Sequence, residues 1–243
     1  MVIGMIQTAV YTDKGGRDGN EDSVLILEKE KKVCAVVADG LGGYGGGEKA
    51  SALVTEEFQK EWDGTLTPEC LTKLIREAHE KIQKEQTARC PMKSTVVALA
   101  VEPGHVVWAH VGDSRLYHFY NGRLVFQTKD HSSSQIAVEL GDISPGEIRF
   151  HEDRNKVFRA LGQAGSVTVD ARDLTLAAGD HAWLLCTDGF WEYVLESEME
   201  KALQESDSPR EWLEKMREFL HGRLKERNQT ENDNNTAAAV WLR

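Results

Sequence analysis

Val33-Cys34-Ala35-Val36-Val37-Ala38-Asp39-Gly40-Leu41-Gly42-Gly43-Tyr44-Gly45 is the stretch on which the fold turns. An apolar run of strand length ends in an aspartate and opens into glycines that satisfy Gly-x-Gly-x-x-Gly from Gly40 to Gly45. Behind a strand and ahead of a helix, that pattern raises a dinucleotide-binding βαβ unit. Three details turn against it. Asp39 stands near where a pyrophosphate would lie and would repel it. The helical pattern of Gly47–Trp62 leads into a second helix, Pro68–Gln86, where a βαβ unit needs its next strand. The acidic residue expected at the end of that strand therefore has no strand to end. A Walker loop fails as well, because Glu48-Lys49-Ala50 follows Gly47 where Lys-Ser/Thr is required.

Outward from this stretch the chain reads as strands in series. Apolar runs of strand length occur at Met5–Tyr11, Ser23–Leu27, Val33–Ala38, Thr95–Val101, Val106–Val111, Arg115–Tyr120, Arg123–Phe126, Val167–Ala171, His181–Cys186 and Ala237–Leu242. Many are rich in Val and aromatics and are bounded by Gly, Asn or Asp. Asn121-Gly122 is the pair a tight hairpin demands, since both central positions need positive φ. Most runs follow one another without a helix between them, which predicts antiparallel sheets. Helical periodicity takes over at Gly47–Trp62, at Pro68–Gln86 with Leu71, Leu74, Ile75, Ala78 and Ile82 on one face, and from Ser208 to about Lys225. Ser208-Pro209-Arg210-Glu211 is a capping box, and Ser144-Pro145-Gly146-Glu147 repeats its chemistry. The pattern predicts an α+β protein, sheet packed on sheet with helices on the outer faces. No linker, repeat or low-complexity tract divides residues 1–243, so one domain is expected.

The chain has 243 residues with a formal net charge of −11, 40% hydrophobic and 28% charged. That composition is ordinary for a soluble globular protein, and the length suits a single core. No run approaches a membrane span, and the first residues lack the basic start and apolar centre of a secretory signal. An acidic chain without a Lys/Arg block is a poor candidate for a phosphate backbone, so nucleic-acid binding is not expected. Cys34, Cys70, Cys90 and Cys186 are scattered and read as packing thiols of a reducing cytoplasm. The histidines do not supply a clustered zinc site.

What informs most is where the acids fall. Three apolar strands run directly into Asp and a small residue: Asp39-Gly40, Asp113-Ser114 and Asp188-Gly189. Asp233 sits just before the last strand, and Glu21-Asp22 just before the second. Strand ends are rigid mounts, and carboxylates held on several can converge. If they meet, charges at about 4 Å repel by roughly 4 kcal/mol per pair at an effective dielectric of about 20, so cations must be present. An all-oxygen set without Cys or His selects Mg²⁺ or Mn²⁺. Two such ions suit phosphate hydrolysis, by generating a bridging hydroxide and neutralising an anionic transition state.

Taken in order, these residues resemble the motifs of the metal-dependent Ser/Thr protein phosphatases of type 2C, in the compact bacterial form. Arg17-Asp18-Gly19-Asn20-Glu21-Asp22 resembles the family's Arg-x-x-Asn-Glu-Asp, and Asp39-Gly40-Leu41-Gly42-Gly43 its Asp-Gly-x-Gly-Gly. Ser94-Thr95-Val96-Val97, Gly112-Asp113-Ser114-Arg115, Asp130-His131-Ser132, Thr187-Asp188-Gly189 and Asp233-Asn234-Asn235-Thr236 follow in the family's order. The resemblance implies a four-layer α-β-β-α sandwich with its metal site at one end of the two sheets. It implies that Asp39 bridges two Mn²⁺ or Mg²⁺ ions, that Asp188 and Asp233 complete the first, and that Gly40 through its carbonyl, with Glu21 or Asp22, serves the second. Asp113 matches an acid that shares a weaker third ion with Asp188. Arg17 would bind the substrate phosphate, and a hydroxide bridging the metals would attack phosphorus without a phosphoenzyme.

Leu41 stands where animal members carry a histidine proposed as general acid, so that route is closed here. Residues 132–165 form a polar insertion that resembles the family's flap beside the metal site. The resemblance further implies phosphorylated protein substrates, a cognate bacterial Ser/Thr kinase and a cytoplasmic location. A looser likeness is to phosphatases paired with a kinase in type VI secretion clusters. The reading from another class, a silent phosphatase-like binding module, is opposed by the intact Arg17, Asp39, Asp113, Asp188 and Asp233.

Overall fold

The computed structural model describes residues 4–42 and 45–243. Gly43 and Tyr44 of the glycine run, and the first three residues, lie outside the described residues. The described residues form eleven strands and six α-helices. The strands are β1 (Ile6–Asp13), β2 (Asp22–Lys29), β3 (Lys32–Leu41), β4 (Lys93–Ser94), β5 (Val96–Glu102), β6 (His105–Val111), β7 (Arg115–Tyr120), β8 (Arg123–Gln127), β9 (Asp170–Thr175), β10 (His181–Cys186) and β11 (Asn235–Leu242). The helices are α1 (Gly46–Glu61), α2 (Pro68–Glu85), α3 (Ser133–Leu140), α4 (Asp188–Trp191), α5 (Glu196–Gln204) and α6 (Pro209–Glu226), with a 3₁₀ turn at Pro145–Phe150.

The strands form two sheets, ordered β1-β11-β10-β7-β8 and β2-β3-β5-β6-β9, with β4 beside β3. Every pairing is antiparallel, as the sequence of strands predicts. Alternate residues of each strand serve different cores. Val33, Ala35 and Val37 of β3 meet Trp183, Leu185, Ala238 and Val240 of the other sheet. Cys34, Val36 and Ala38 turn outward onto Val54, Phe58, Leu71 and Ile75 of α1 and α2. Leu184, Ala237 and Trp241 likewise pack outward onto Trp212, Met216 and Leu220 of α6. Four layers result. Because central strands are covered on both faces, they read as unbroken apolar runs, where one-sided antiparallel sheets alternate.

Two readings shift. The strand expected at Val167–Ala171 lies at Asp170–Thr175. Val167 and Val169 instead pack into the core beneath α2, and the strand proper is a charged edge, Asp170-Ala171-Arg172-Asp173. Helix α5 was not foreseen, although Met199, Ala202 and Leu203 bury one face of it.

At the end of the interlayer core remote from the acids, His118 and His181 lie among aromatics. His181 Nε2 donates to the Ala177 carbonyl (2.9 Å), which leaves its Nδ1 to accept from His118 Nε2 (2.9 Å). Both rings stack on Trp183. Burial, then the neighbouring His181, pushes His118 down to about 4. A depressed histidine pKa contributes stability that is complete above its unfolded value, near 6.5, and is lost as pH falls towards 4. Relative to His118→Gln, the wild type should therefore lose about 2 kcal/mol between pH ~6.5 and ~4 in urea unfolding. Parallel stability curves for the two proteins would contradict a buried neutral His118.

Candidate metal centre

Antiparallel pairing brings the acids to one end. Asp22 opens β2 and sits directly opposite Asp39, near the end of β3, in the strand register. Alternation points both between the sheets, where Val37 and Val24 lie further in. Asp113 follows β6 after a single glycine, on the same end of that sheet. In the facing sheet Asp188 begins α4 just beyond β10, and Asp233 precedes β11, the partner strand of β10. A cleft of about 500 Å³ opens there, lined by Arg17, Glu21, Asp39, Gly40, Asp113, Asp188 and Asp233. Asp22 lies one layer back, buried. All eight residues singled out in the sequence thus gather at one place. Leu41, Asn155 and Val157 also line the cleft, so the segment 132–165 reaches it. A larger cavity of about 650 Å³ lies between β1, β2 and α6, but it contains no comparable cluster of acids.

Electrostatically the cleft is far from neutral. Burial, and then Asp22, Asp188, Asp113 and Asp233 in turn, pushes Asp39 well above the carboxylate range. Asp188 is raised in the same way, by burial and then by Asp113. Asp22 and Asp113 are each pushed up to about 7, mainly by burial. The cation lining the cleft is Arg17, whose Nη2 meets Asp233 Oδ2 at 3.0 Å with both side chains about half exposed. A pair so exposed is worth little, so the guanidinium is free to exchange the carboxylate for a phosphate oxygen. Asp22 Oδ1 is buried without a hydrogen-bond partner. An unpaired buried carboxylate oxygen behind four mutually repelling aspartates is a donor set suited to cations. Its all-oxygen chemistry fits hard divalent ions.

Uncharged groups hold the acids in position, and these carried no role in the sequence reading. Thr187 Oγ1 donates to Asp22 Oδ2 (2.9 Å) and accepts from Thr236 N–H (3.0 Å), tying the two sheets together beneath the cleft. Thr95 Oγ1 accepts from Asp39 N–H (3.0 Å) and meets Ser114 Oγ at 2.7 Å. Asn234 accepts from Glu21 N–H (2.7 Å) and donates to the Lys14 and Gly19 carbonyls, which fixes the Arg17 loop. Trp191 Nε1 donates to the Asp113 carbonyl (3.0 Å), while its ring lies under Arg115, which is paired with Asp130 through two bonds of 2.8 and 2.7 Å. Gly40 admits no side chain, because a Cβ there would stand 2.0 Å from the Gly47 carbonyl oxygen. That is why the residue after Asp39 is glycine: close approach of α1 requires it.

Two stacked antiparallel sheets with a carboxylate cleft at their aligned ends suit hydrolysis assisted by hard divalent ions. Residues 17–233 match the family described as Protein phosphatase 2C, and the chain belongs to that family. The serine/threonine phosphatase stp of Listeria monocytogenes is 34% identical over 205 residues, covering 79% of this chain and 81% of the relative. PppA, described as a key regulatory component of T6SS in Pseudomonas aeruginosa, has a solved structure that is 26% identical, with a TM-score of 0.83 over 99% of both chains. The catalytic domain of the phosphatase PstP in complex with two manganese ions is 27% identical, with a TM-score of 0.75 over 98% of both chains.

The raised carboxyl pKa values give stability a definite sign. Groups that titrate near 4 unfolded and near 7 folded contribute stability that is full below pH ~4 and lost as pH rises through ~7. From pH ~6.5 to ~8 the depressed histidines act in the opposite direction, but only through the half charge their unfolded forms still lose above ~6.5, so the raised acids outweigh them. Chelated protein should melt lower at pH ~8 than at ~6.5, and Mn²⁺ should raise the melting temperature more at ~8. Equal metal-induced shifts at the two pH values would contradict the repulsion described.

Proposed function

We propose that this protein hydrolyses phosphoserine and phosphothreonine in proteins with Mn²⁺ or Mg²⁺ held in the acidic cleft. The observation that carries the reading is the convergence of Asp39, Asp113, Asp188 and Asp233 from both sheets on one cleft, with Arg17 at its mouth. As a member of the protein phosphatase 2C family the chain is a phosphatase, and the two manganese ions in the PstP structure support a two-ion site here. Such ions supply a water of lowered pKa as nucleophile and neutralise charge on the phosphoryl group.

The chain's residues divide the remaining work. Asp39, whose side chain faces the acids of both sheets, would be held in common by the two ions. Asp188 and Asp233 would hold one, and Gly40 with Glu21 or Asp22 the other. Asp113, with Asp188, would hold a weaker third. Arg17 takes the phosphate oxygens and turns the ester so that the serine or threonine oxygen leaves in line. Leu41 offers no proton, so protonation of the leaving alkoxide falls to water in the cleft. Residues 1–243 act as one catalytic unit whose flap, residues 132–165, brings Asn155 and Val157 to the substrate. The substrates are phosphoproteins made by a Ser/Thr kinase that this enzyme opposes. Four free thiols support a reducing, cytoplasmic setting, and no described helix is long and apolar enough to cross a membrane.

A chelated preparation should hydrolyse neither p-nitrophenyl phosphate nor a phosphothreonine peptide, and Mn²⁺ should restore both activities. Asp39→Asn and Asp188→Asn should lower kcat by about 10³ or more while remaining folded, the scale of removing a principal electrostatic stabiliser. Arg17→Ala should raise KM for both substrates about tenfold and keep the metal dependence. A folded, Mn²⁺-loaded protein without turnover would leave only the binding-module reading.

A further inference from the structure

Outside the cleft, His110, His131 and Asp170 bring three ligand-type atoms within 4.8 Å of one another. Their hydrogen bonds argue against a second metal site. His110 meets the Lys129 carbonyl through Nε2 (2.9 Å), so its lone pair lies on Nδ1. His131 Nδ1 accepts from Gly112 N–H (3.0 Å), so its proton lies on Nε2, which stands 3.3 Å from Asp170 Oδ2 and 2.9 Å from Arg159 Nη1. The two rings stack, with centroids 4.5 Å apart and planes 16° from parallel, so their in-plane lone pairs do not converge. A cation is already present, since Arg159 Nη1 donates to Asp170 Oδ1 (3.0 Å). A guanidinium fills the place an ion would take.

The same bonds make His131 a junction. Its backbone N–H donates to the Gly112 carbonyl (2.9 Å) while Gly112 N–H donates back to its ring, a reciprocal clamp on the turn that carries Asp113. Gly112 sits at φ +107°, and a Cβ there would stand 2.7 Å from the Thr95 side chain. That turn is therefore gripped by Thr95 on one side and His131 on the other. In the other direction the His131 carbonyl accepts from Phe158 N–H (3.0 Å), and its ring shares Asp170 with Arg159. Ser132 bridges Val157 in the same segment, and Val157 lines the cleft. His131 is 5% exposed, so water does not replace these partners.

We propose that His131 is a positioning residue: its ring Nδ1 sets the Gly112–Asp113 turn, and its carbonyl and Nε2 fix the flap segment 156–159 against that turn. Ion binding at Asp113 and substrate entry past Val157 are thereby tied to one side chain. The proposal rests on the reading of Asp113 as an ion ligand.

Two conservative variants separate the halves. In His131→Asn the amide oxygen stands where Nδ1 stood, so the Gly112 bond can survive while the reach to Asp170 is lost. In His131→Gln the longer amide reaches Asp170 and leaves Gly112 N–H orphaned. With the full chain, half-saturating Mn²⁺ for p-nitrophenyl phosphate hydrolysis should rise about tenfold in His131→Gln, with kcat recovered at saturating Mn²⁺, and should change less than about twofold in His131→Asn. KM for a phosphothreonine peptide should rise about fivefold in His131→Asn, with that for p-nitrophenyl phosphate unchanged. Asp170→Asn, at a half-exposed site where folding is safe, should reproduce the peptide effect alone. Asp113→Asn serves as reference and should weaken Mn²⁺ dependence on its own. If it does so while His131→Gln behaves as wild type, or His131→Gln and His131→Asn shift Mn²⁺ equally, the positioning role is overturned. An unchanged peptide KM in both His131→Asn and Asp170→Asn overturns the flap half. If Asp113→Asn leaves Mn²⁺ dependence untouched, the ligand reading of Asp113 fails, and this proposal with it.

Discussion

Repulsion among carboxylates that cannot escape one another is the constraint around which this molecule is arranged. Asp22 faces Asp39 across a strand pair, and Asp188, Asp113 and Asp233 close in from neighbouring strand ends. Like charges directly opposite in a sheet destabilise it, so something other than their own pairing must hold these strands in register. The apolar interlayer core does so from below, through Val37, Leu185 and Ala238. At the rim the work passes to neutral groups, Thr187, Thr95 and Asn234, which fix backbone and carboxylates without cancelling their charge.

How much of this was legible in the sequence follows from how local each signal is. The acids could be found because each follows or precedes an apolar run by one or two residues, a pattern visible without knowing the fold. The sheets could be found for the same reason, apart from β9, whose polar edge carries less apolar signal than the valines before it. Thr187 and Asn234 could not be assigned roles, since their partners lie 165 and 213 residues away. A hydroxyl or amide becomes functional only through such a contact, and nothing in its own neighbourhood marks it. The grouping of His110 with His131 escaped for the same reason: the stack exists only because β6 lies beside the segment that follows β8.

The cleft's two walls are unlike in kind. One is built of strand ends locked into the sandwich, and the other is formed by residues 132–165, attached through ion pairs as well as through the buried Ile148 and Leu161. Arg154 reaches Glu192 (2.8 Å), Arg149 reaches Glu196 (2.6 Å), and Arg159 reaches Asp170 (3.0 Å).

The position of β11 carries a last consequence, for the order in which the molecule can be completed. β11 lies between β1 and β10 in its sheet, so the earliest strand has no partner there until the latest one is made. Pairings such as Ile6 with Leu242 span almost the whole chain and are slow to form. Asp233 stands at the head of that strand. The last acid thus joins the cluster in the same event that closes the sheet, and during synthesis the nascent chain never has to bear the full charge of its own site on an unfinished scaffold.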